Sequence, residues 1–328
     1  MRGLTFLPYA ESLSVPNVVV DGAPNPATVL TLTHWPGIEQ PPGLAGDLSA
    51  HMAFNYLDAG APATDAQVVT NNHFDQDGLV CVHALVDPER SLRYRDRLVD
   101  IAAAGDFATY RYRESARASM AIWSYANSEY SPLGSQLEGP YEQACALLYE
   151  TLLPLLIPII EDPDQFKDLW IREDQHLTGS EQAIAAGQVA IEEVPELDLA
   201  VVSVSSPLAG GHRFASDFFE LIHPMAINNA TNCSRLLLAS GDRYLYADRY
   251  ETWVQYRSRL LPKRVDLRPL AEQLQALETG AHSWQATAPS ALTPTLSPTS
   301  ASDLDLATVR ESVMGYLQSA PPAWDPFS

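Results

Sequence analysis

Cysteine is scarce: Cys81, Cys145 and Cys233 are the only three in 328 residues. Their odd number and wide spacing exclude a disulfide framework and a Cys-x-x-Cys metal site, and fit a reducing cytoplasm. Long apolar runs are missing too. No stretch reaches the roughly 18 residues of a membrane span, and the nearest, residues 144–160, contains Glu150, Pro154 and Pro158. That stretch reads as a buried helix interrupted by proline, and the start, Met1 to Pro8, lacks the apolar core of a signal peptide. Basic residues are few. Twenty Lys and Arg against 41 Asp and Glu give a formal net charge of −21, which excludes a broad basic face for long nucleic acid. A small anionic substrate remains compatible, because bound cations invert the field of an acidic pocket. Absent as well are a phosphate-binding P-loop, a Gly-x-Ser-x-Gly nucleophile elbow and a dinucleotide glycine fingerprint.

What is present suits a folded protein of more than one domain: 46% of the residues are hydrophobic and 19% charged, enough apolar surface to offset the entropy of ordering. The first half alternates short apolar runs with helical patterns, the mark of an α/β fold, here a mainly parallel sheet flanked by helices. Val18 to Val20 runs into Asp21-Gly22, Val29 to Thr33 into His34-Trp35, and Gln67 to Thr70 into Asn71-Asn72-His73. Ligands of open α/β sheets bind beyond the carboxyl ends of the strands, so polar residues that follow separate strands are expected to converge. A helix is expected over Ser91 to Ala104, stopped by Gly105, with Asp106 after it as a further candidate. Residues 1–193 are expected to form this domain and residues 194–285 a smaller α+β domain. There Leu197 to Ser205 reads as a strand, and Arg235–Ala239 and Tyr244–Ala247 as a hairpin with a four-residue loop. Residues 286–302, rich in Pro, Ser and Thr, read as an exposed linker before a short C-terminal helix. A homodimer is compatible with this composition, which does not decide the oligomeric state.

The residues that carry chemistry are His73, Asp75 and Asp77 in His73-Phe74-Asp75-Gln76-Asp77-Gly78. On an extended segment their period of two points three ligands to one side. One imidazole with several carboxylates suits Mn²⁺, and less exclusively Mg²⁺ or Zn²⁺. The structural alternative is an Asp-rich turn with a capping Asp and a surface His. Asp21 taken alone reads equally as part of an Asp-Gly turn, and His34 as a hydrogen-bonded loop histidine.

Residues 69–78 resemble the first motif of the DHH phosphoesterase superfamily, which includes single-strand exonucleases, manganese pyrophosphatases, oligoribonucleases and cyclic-dinucleotide phosphodiesterases. Val18 to Gly22 resembles its second motif, in which the Asp bridges two metals. Leu32 to Trp35, followed by Asp47-Leu48-Ser49-Ala50, resembles its Asp-His-His motif, and Ala103 to Asp106 the fourth. The first motif of the family comes here after the second and third, so the resemblance implies a circularly permuted domain. Thr33 and Trp35 stand where the family has Asp and a second, substrate-contacting His.

By this resemblance His73, Asp75 and Asp21 hold one cation, and Asp77, Asp21, His34 and Asp106 hold a second, with Mn²⁺ expected and Mg²⁺ an alternative. His34 and Asp77 are then the catalytic candidates of a hydrolase acting on a phosphate ester or phosphoanhydride. With Trp35 in the motif, an inactive metal- or nucleotide-binding protein of the same fold is the alternative. In the second domain Gly210, Gly211, His212 and Arg213 are candidates for contacting an anionic substrate; an ordinary glycine turn reads as well. The aromatic run Tyr244, Tyr246, Tyr250, Trp253 and Tyr256, interleaved with Arg243, Arg249 and Arg257, fits the core face of a strand better than base stacking.

Overall fold

A computed structural model describes residues 3–61, 64–205, 221–280 and 282–328. The chain is α/β and divides into two compact units, Met1–Asp174 with Tyr256–Ser258, and Gln175–Gln255 with Arg259–Ser328. The division falls within a helix, α8 (Lys167–Ala185), rather than at 193/194. Among the described residues no helix is long and apolar enough to cross a membrane.

In the first unit a four-stranded parallel sheet has the order β1 (Thr5–Phe6), β4 (Val68–Thr70), β2 (Asn17–Val20), β3 (Thr28–Leu32). Val18, Val19 and Val20 are wholly buried, as a β-branched run must be in a parallel sheet covered on both faces. The helices α1 (Ser49–Asp58), α2 (Gln76–Val86), α3 (Pro88–Arg93), α4 (Arg95–Asp106) and α5 (Arg113–Ala126) follow. Met52, Ala53, Leu79, Val80, Leu98 and Ile101 seal their packing. The expected helix over 91–104 is thus two helices, and Gly105 lies inside the last turn of α4. Its role is close approach: a Cβ there would lie 2.6 Å from Gln76 Cβ on α2. The apolar stretch 144–160 splits into α6 (Tyr141–Leu152) and α7 (Leu156–Glu161), because Pro154 has no N–H to continue the first helix.

Within α2, His83 is a core residue whose Nδ1 lies 2.7 Å from Ser91 Oγ. Burial pushes its pKa down to about 4, against the pull of Asp87 and helped by Arg90. The unfolded chain takes up this proton near pH 6.5 while the fold refuses it until about 4. His83 therefore contributes stability above pH 6.5 that is lost as pH falls towards 4. Urea midpoints measured from pH 7.5 to 4 are expected to fall more steeply for the natural protein than for His83→Gln; parallel curves would refute this.

The second unit holds a six-stranded mixed sheet in the order β10 (Trp284–Ala286), β11 (Thr295–Pro298), β8 (Arg243–Asp248), β7 (Arg235–Ser240), β6 (Leu199–Val204), β5 (Val189–Val194). Alternation divides its core between two faces: Leu237, Ala239, Tyr244 and Tyr246 point to one, Leu236, Leu238 and Leu245 to the other. Tyr244 and Tyr246 are core, as the period-two pattern implies, whereas Tyr250, Trp253 and Tyr256 lie beyond the strand and are half-buried. Three expectations need correction. The segment 286–302 is not an exposed linker, since β11 pairs with β8 and β10 and buries Leu296; its Pro298 ends the strand, where no ladder donor is lost. The hairpin turns through Gly241 and Asp242 alone, because Gly241 takes a left-handed φ of 61°. β6 starts at Leu199, after Asp198 turns the chain with φ 51°.

Candidate metal centre

The carboxyl ends of β2, β3 and β4 carry Asp21, His34 and the segment from His73, and these meet in space. Asp21 and His34 are buried, as is Asp77, while His73 and Asp75 reach the surface. Asp21 has φ 46°, a strained left-handed backbone that Asp tolerates better than bulkier residues. A Cβ on the next residue, Gly22, would lie 2.1 Å from Asn72 Oδ1 and 2.7 Å from Asn71 Oδ1. Glycine is what lets the end of β2 run this close to the β4 loop.

Asp21, His34 and Asp77 offer ligand atoms within 4.8 Å of one another, and so do Asp21, His73 and Asp75. Asp21 is common to both triplets. Its Oδ1 lies 3.4 Å from His34 Nε2 and its Oδ2 3.3 Å from His73 Nε2. Asp75 Oδ2 is 2.9 Å from His73 Nε2, and Asp77 Oδ2 is 3.9 Å from His34 Nε2. Asp106, in the last turn of α4, puts Oδ2 3.5 Å from His34 Nε2. The ligands of the His73 segment do not alternate on a strand as expected: Asp75 precedes α2 as its N-cap and Asp77 sits in the first turn.

His34, Asp21, Asp77 and Asp75 are each held by a partner. His34 Nδ1 lies 2.7 Å from the Asp47 carbonyl, which fixes the ring proton of the neutral imidazole there and turns Nε2 towards the carboxylates. Ser49 Oγ donates to Asp21 Oδ1 at 2.7 Å and accepts from His34 N. Asp77 receives Ser49 N and Ala50 N at 2.8 and 2.7 Å, free amides of the first turn of α1. Asp75 Oδ1 accepts Gly78 N at 2.8 Å and leaves Oδ2 for His73. The capping roles and a ligand role coexist, since a carboxylate oxygen has two lone pairs.

The centre is short of positive charge. Burial raises the Asp77 carboxyl to about 7, and the neighbouring Asp21 charge adds to the rise. Burial also opposes charge on Asp21 and on both imidazoles, yet their mutual attraction prevails: Asp21 lies well below the carboxylate range, His34 is raised, and His73, beside Asp75 and Asp21, reaches about 11. Asp21 Oδ2 is buried with no hydrogen-bond donor of good geometry among the described residues. A cation would answer both the charge deficit and the unsatisfied oxygen. Hard oxygen donors with imidazole nitrogen form a donor set for a divalent ion. The structure thus holds buried Asp/His clusters that could bind metal.

Of the sequence candidates, Asp21, His34, His73, Asp75 and Asp77 come together, with Asp106 against His34. Gly210, Gly211, His212 and Arg213 lie outside the described residues. His223 serves as a helix cap, its Nδ1 accepting Met225 N. Sequence reasoning missed Ser49, for which a helix start was the only signal. It also missed Cys81, whose Sγ lies 3.7 Å from Asp77 Oδ1; the spacing of four on one helix could have found it. Trp35 packs its ring 5.1 Å from that of His73. Asp47, whose carbonyl meets His34, also lines a cavity of about 510 Å³ together with His51, Arg95, Phe107, Tyr110 and Arg111 among others; none of the ligand candidates is on its wall. Nothing in the sequence announced it, because its walls come from the start of α1 and the residues before it, from α4 and the loop after it, and from Tyr256 and Ser258. A third group, Glu278, His282 and Asp303, is partly exposed, and its carboxylates are engaged by Trp284 Nε1, Ser302 Oγ and Thr279 Oγ1.

Residues 2–327 match a family described as a family of unknown function, DUF6687. No curated protein and no solved structure matches the chain at a significant level.

Proposed function

Since the chain belongs to the DUF6687 family, whose description assigns no activity, we propose its function from the centre itself: a hydrolase of phosphate esters or phosphoanhydrides that depends on two divalent cations, Mn²⁺ before Mg²⁺. The observation that carries this reading is the sharing of Asp21 by two ligand triplets, with its Oδ2 buried and lacking a good donor. In the proposal His73, Asp75 and Asp21 hold one ion and Asp77, Asp21 and His34 the other, with Asp106 beside it. Bound there, two divalent ions would supply Lewis acidity, making a water more acidic and offsetting charge on the attacked group. The remaining work belongs to the side chains: Asp21 sets the spacing of the two halves, and the Asp47 carbonyl orients His34. The reading also takes the centre as a permuted DHH arrangement.

The substrate in this reading is small and anionic, drawn by cations within an acidic surface. A cavity of about 510 Å³ falls within the ordinary range for small ligands. Arg111 on its wall is suited to a negative group, while Arg95 there is paired with Asp58 at 2.6 Å. Asp47 and Asp100, also on the wall, already accept Arg257 N, Ser258 N, Arg111 N and Tyr112 N.

The second reading, a metal- or nucleotide-binding protein without catalysis, draws on one observation. Trp35 covers His73 where the DHH motif has a substrate-contacting His. Assays of p-nitrophenyl phosphodiester, pyrophosphate and short oligonucleotides with added Mn²⁺ separate the two. Turnover that vanishes with EDTA is expected. A protein that binds Mn²⁺ yet leaves every substrate intact is the binder instead, and one that binds no divalent ion is neither.

A further inference from the structure

One helix that supplies no ligand grips the segment that supplies three. On α6 the residues Tyr141, Cys145 and Tyr149 recur at a spacing of four and so share one face. Tyr149 is 1% exposed. Its Oη donates to the His73 carbonyl at 3.0 Å, and its ring meets Phe74 edge-on at 5.1 Å and Phe6 at 4.9 Å. The same Oη would stand 2.6 Å from a Cβ on Gly78. One side chain thus touches the His73–Gly78 segment at its start, at its second residue and at its end.

The other ligands are fixed elsewhere. Asp77 is tied to α1 through Ser49 N and Ala50 N, Asp21 to Ser49 Oγ, and His34 to the Asp47 carbonyl. His73 lies in the bend between β4 and α2, where Asn71 Oδ1 accepts its N–H and Tyr149 holds its carbonyl. We propose that Tyr149 is a positioning residue for the Asp21–His73–Asp75 half of the centre alone, so that α6 governs one cation without governing the other. This inference rests on the two-cation reading above. The physical basis is that a metal ligand works only within a few tenths of an ångström of its place, and the bond to His73 removes the freedom of the bend that carries it.

The test is a Mn²⁺ titration by calorimetry, with bound ions counted by electron paramagnetic resonance and melting recorded in parallel. Three proteins are compared: the natural chain, Tyr149→Phe, which keeps the ring and loses the donor, and Phe6→Leu, which strips a ring contact and leaves Oη in place. The natural chain is expected to bind two ions. In Tyr149→Phe one ion keeps its affinity and the other weakens about 10- to 100-fold, the usual loss for an outer partner of a metal ligand. Phe6→Leu is expected to melt lower and bind both ions normally. Two ions bound normally by Tyr149→Phe, two weakened equally, a Tyr149→Phe chain that does not fold, or the same loss in Phe6→Leu would overturn the role of Tyr149. Fewer than two ions on the natural chain would instead overturn the two-cation reading, and this inference with it.

Discussion

Asp21→Asn is expected to lose both cations, and with them all hydrolysis above background, in a protein that still folds. Asparagine keeps the shape of the side chain and tolerates the left-handed backbone at φ 46°. Its carbonyl oxygen can still accept Ser49 Oγ, so the hydrogen bond at 2.7 Å survives. What disappears is the second anionic oxygen and the charge that both triplets share. The loss in metal affinity should exceed the roughly 100-fold seen for the outer partners of ligands, and it should strike both ions together. His73→Asn, by contrast, removes a member of one triplet, and one ion should remain. Counting Mn²⁺ on the two variants distinguishes a bridge from an ordinary ligand: Asp21→Asn with two ions bound at natural affinity would falsify the shared-carboxylate reading.

Saturation with Mn²⁺ is expected to raise the melting temperature, and EDTA to reverse the rise. A ligand that binds only the native state at 100 times its dissociation constant stabilises by about 2.7 kcal/mol per site. For a cooperative unit of the size found here that corresponds to roughly 5–11 °C per site. The sign is secure because the ligands come from three strand ends and two helices, an arrangement that the unfolded chain lacks. The gain has a second source in the charge deficit. The charges of Asp21 and Asp75 oppose ionisation of the buried Asp77 carboxyl, and a bound ion would offset that repulsion. Asp21→Asn should show no such rise with Mn²⁺. An unchanged melting curve of the natural chain across Mn²⁺, Mg²⁺ and Zn²⁺ at millimolar concentration would remove the centre from consideration.

Much of the first unit was legible in its residues. Val18 to Val20 reads as a buried strand and is one. Where the reading slipped, a neighbour in space had the deciding role. Gly105 looks like a helix stop, yet Gln76 makes it a packing position. The segment 286–302 looks like a linker by composition, yet Tyr246 and Ala247 on β8 offer it an edge to pair with. Local composition has no access to such contacts.

The sequence by itself determined which residues have the chemistry of metal ligands and that Asp21, His34 and His73 follow apolar strands, because ligand chemistry and strand pattern are both local properties. The family resemblance already implied that Asp21 is shared; tertiary structure alone decided that the amides of α1 fall to Asp77 and that Tyr149, more than seventy residues away along the chain, holds His73. Those facts depend on strand order and helix packing, which bring distant segments within hydrogen-bond reach and leave no mark on the residues that do the holding.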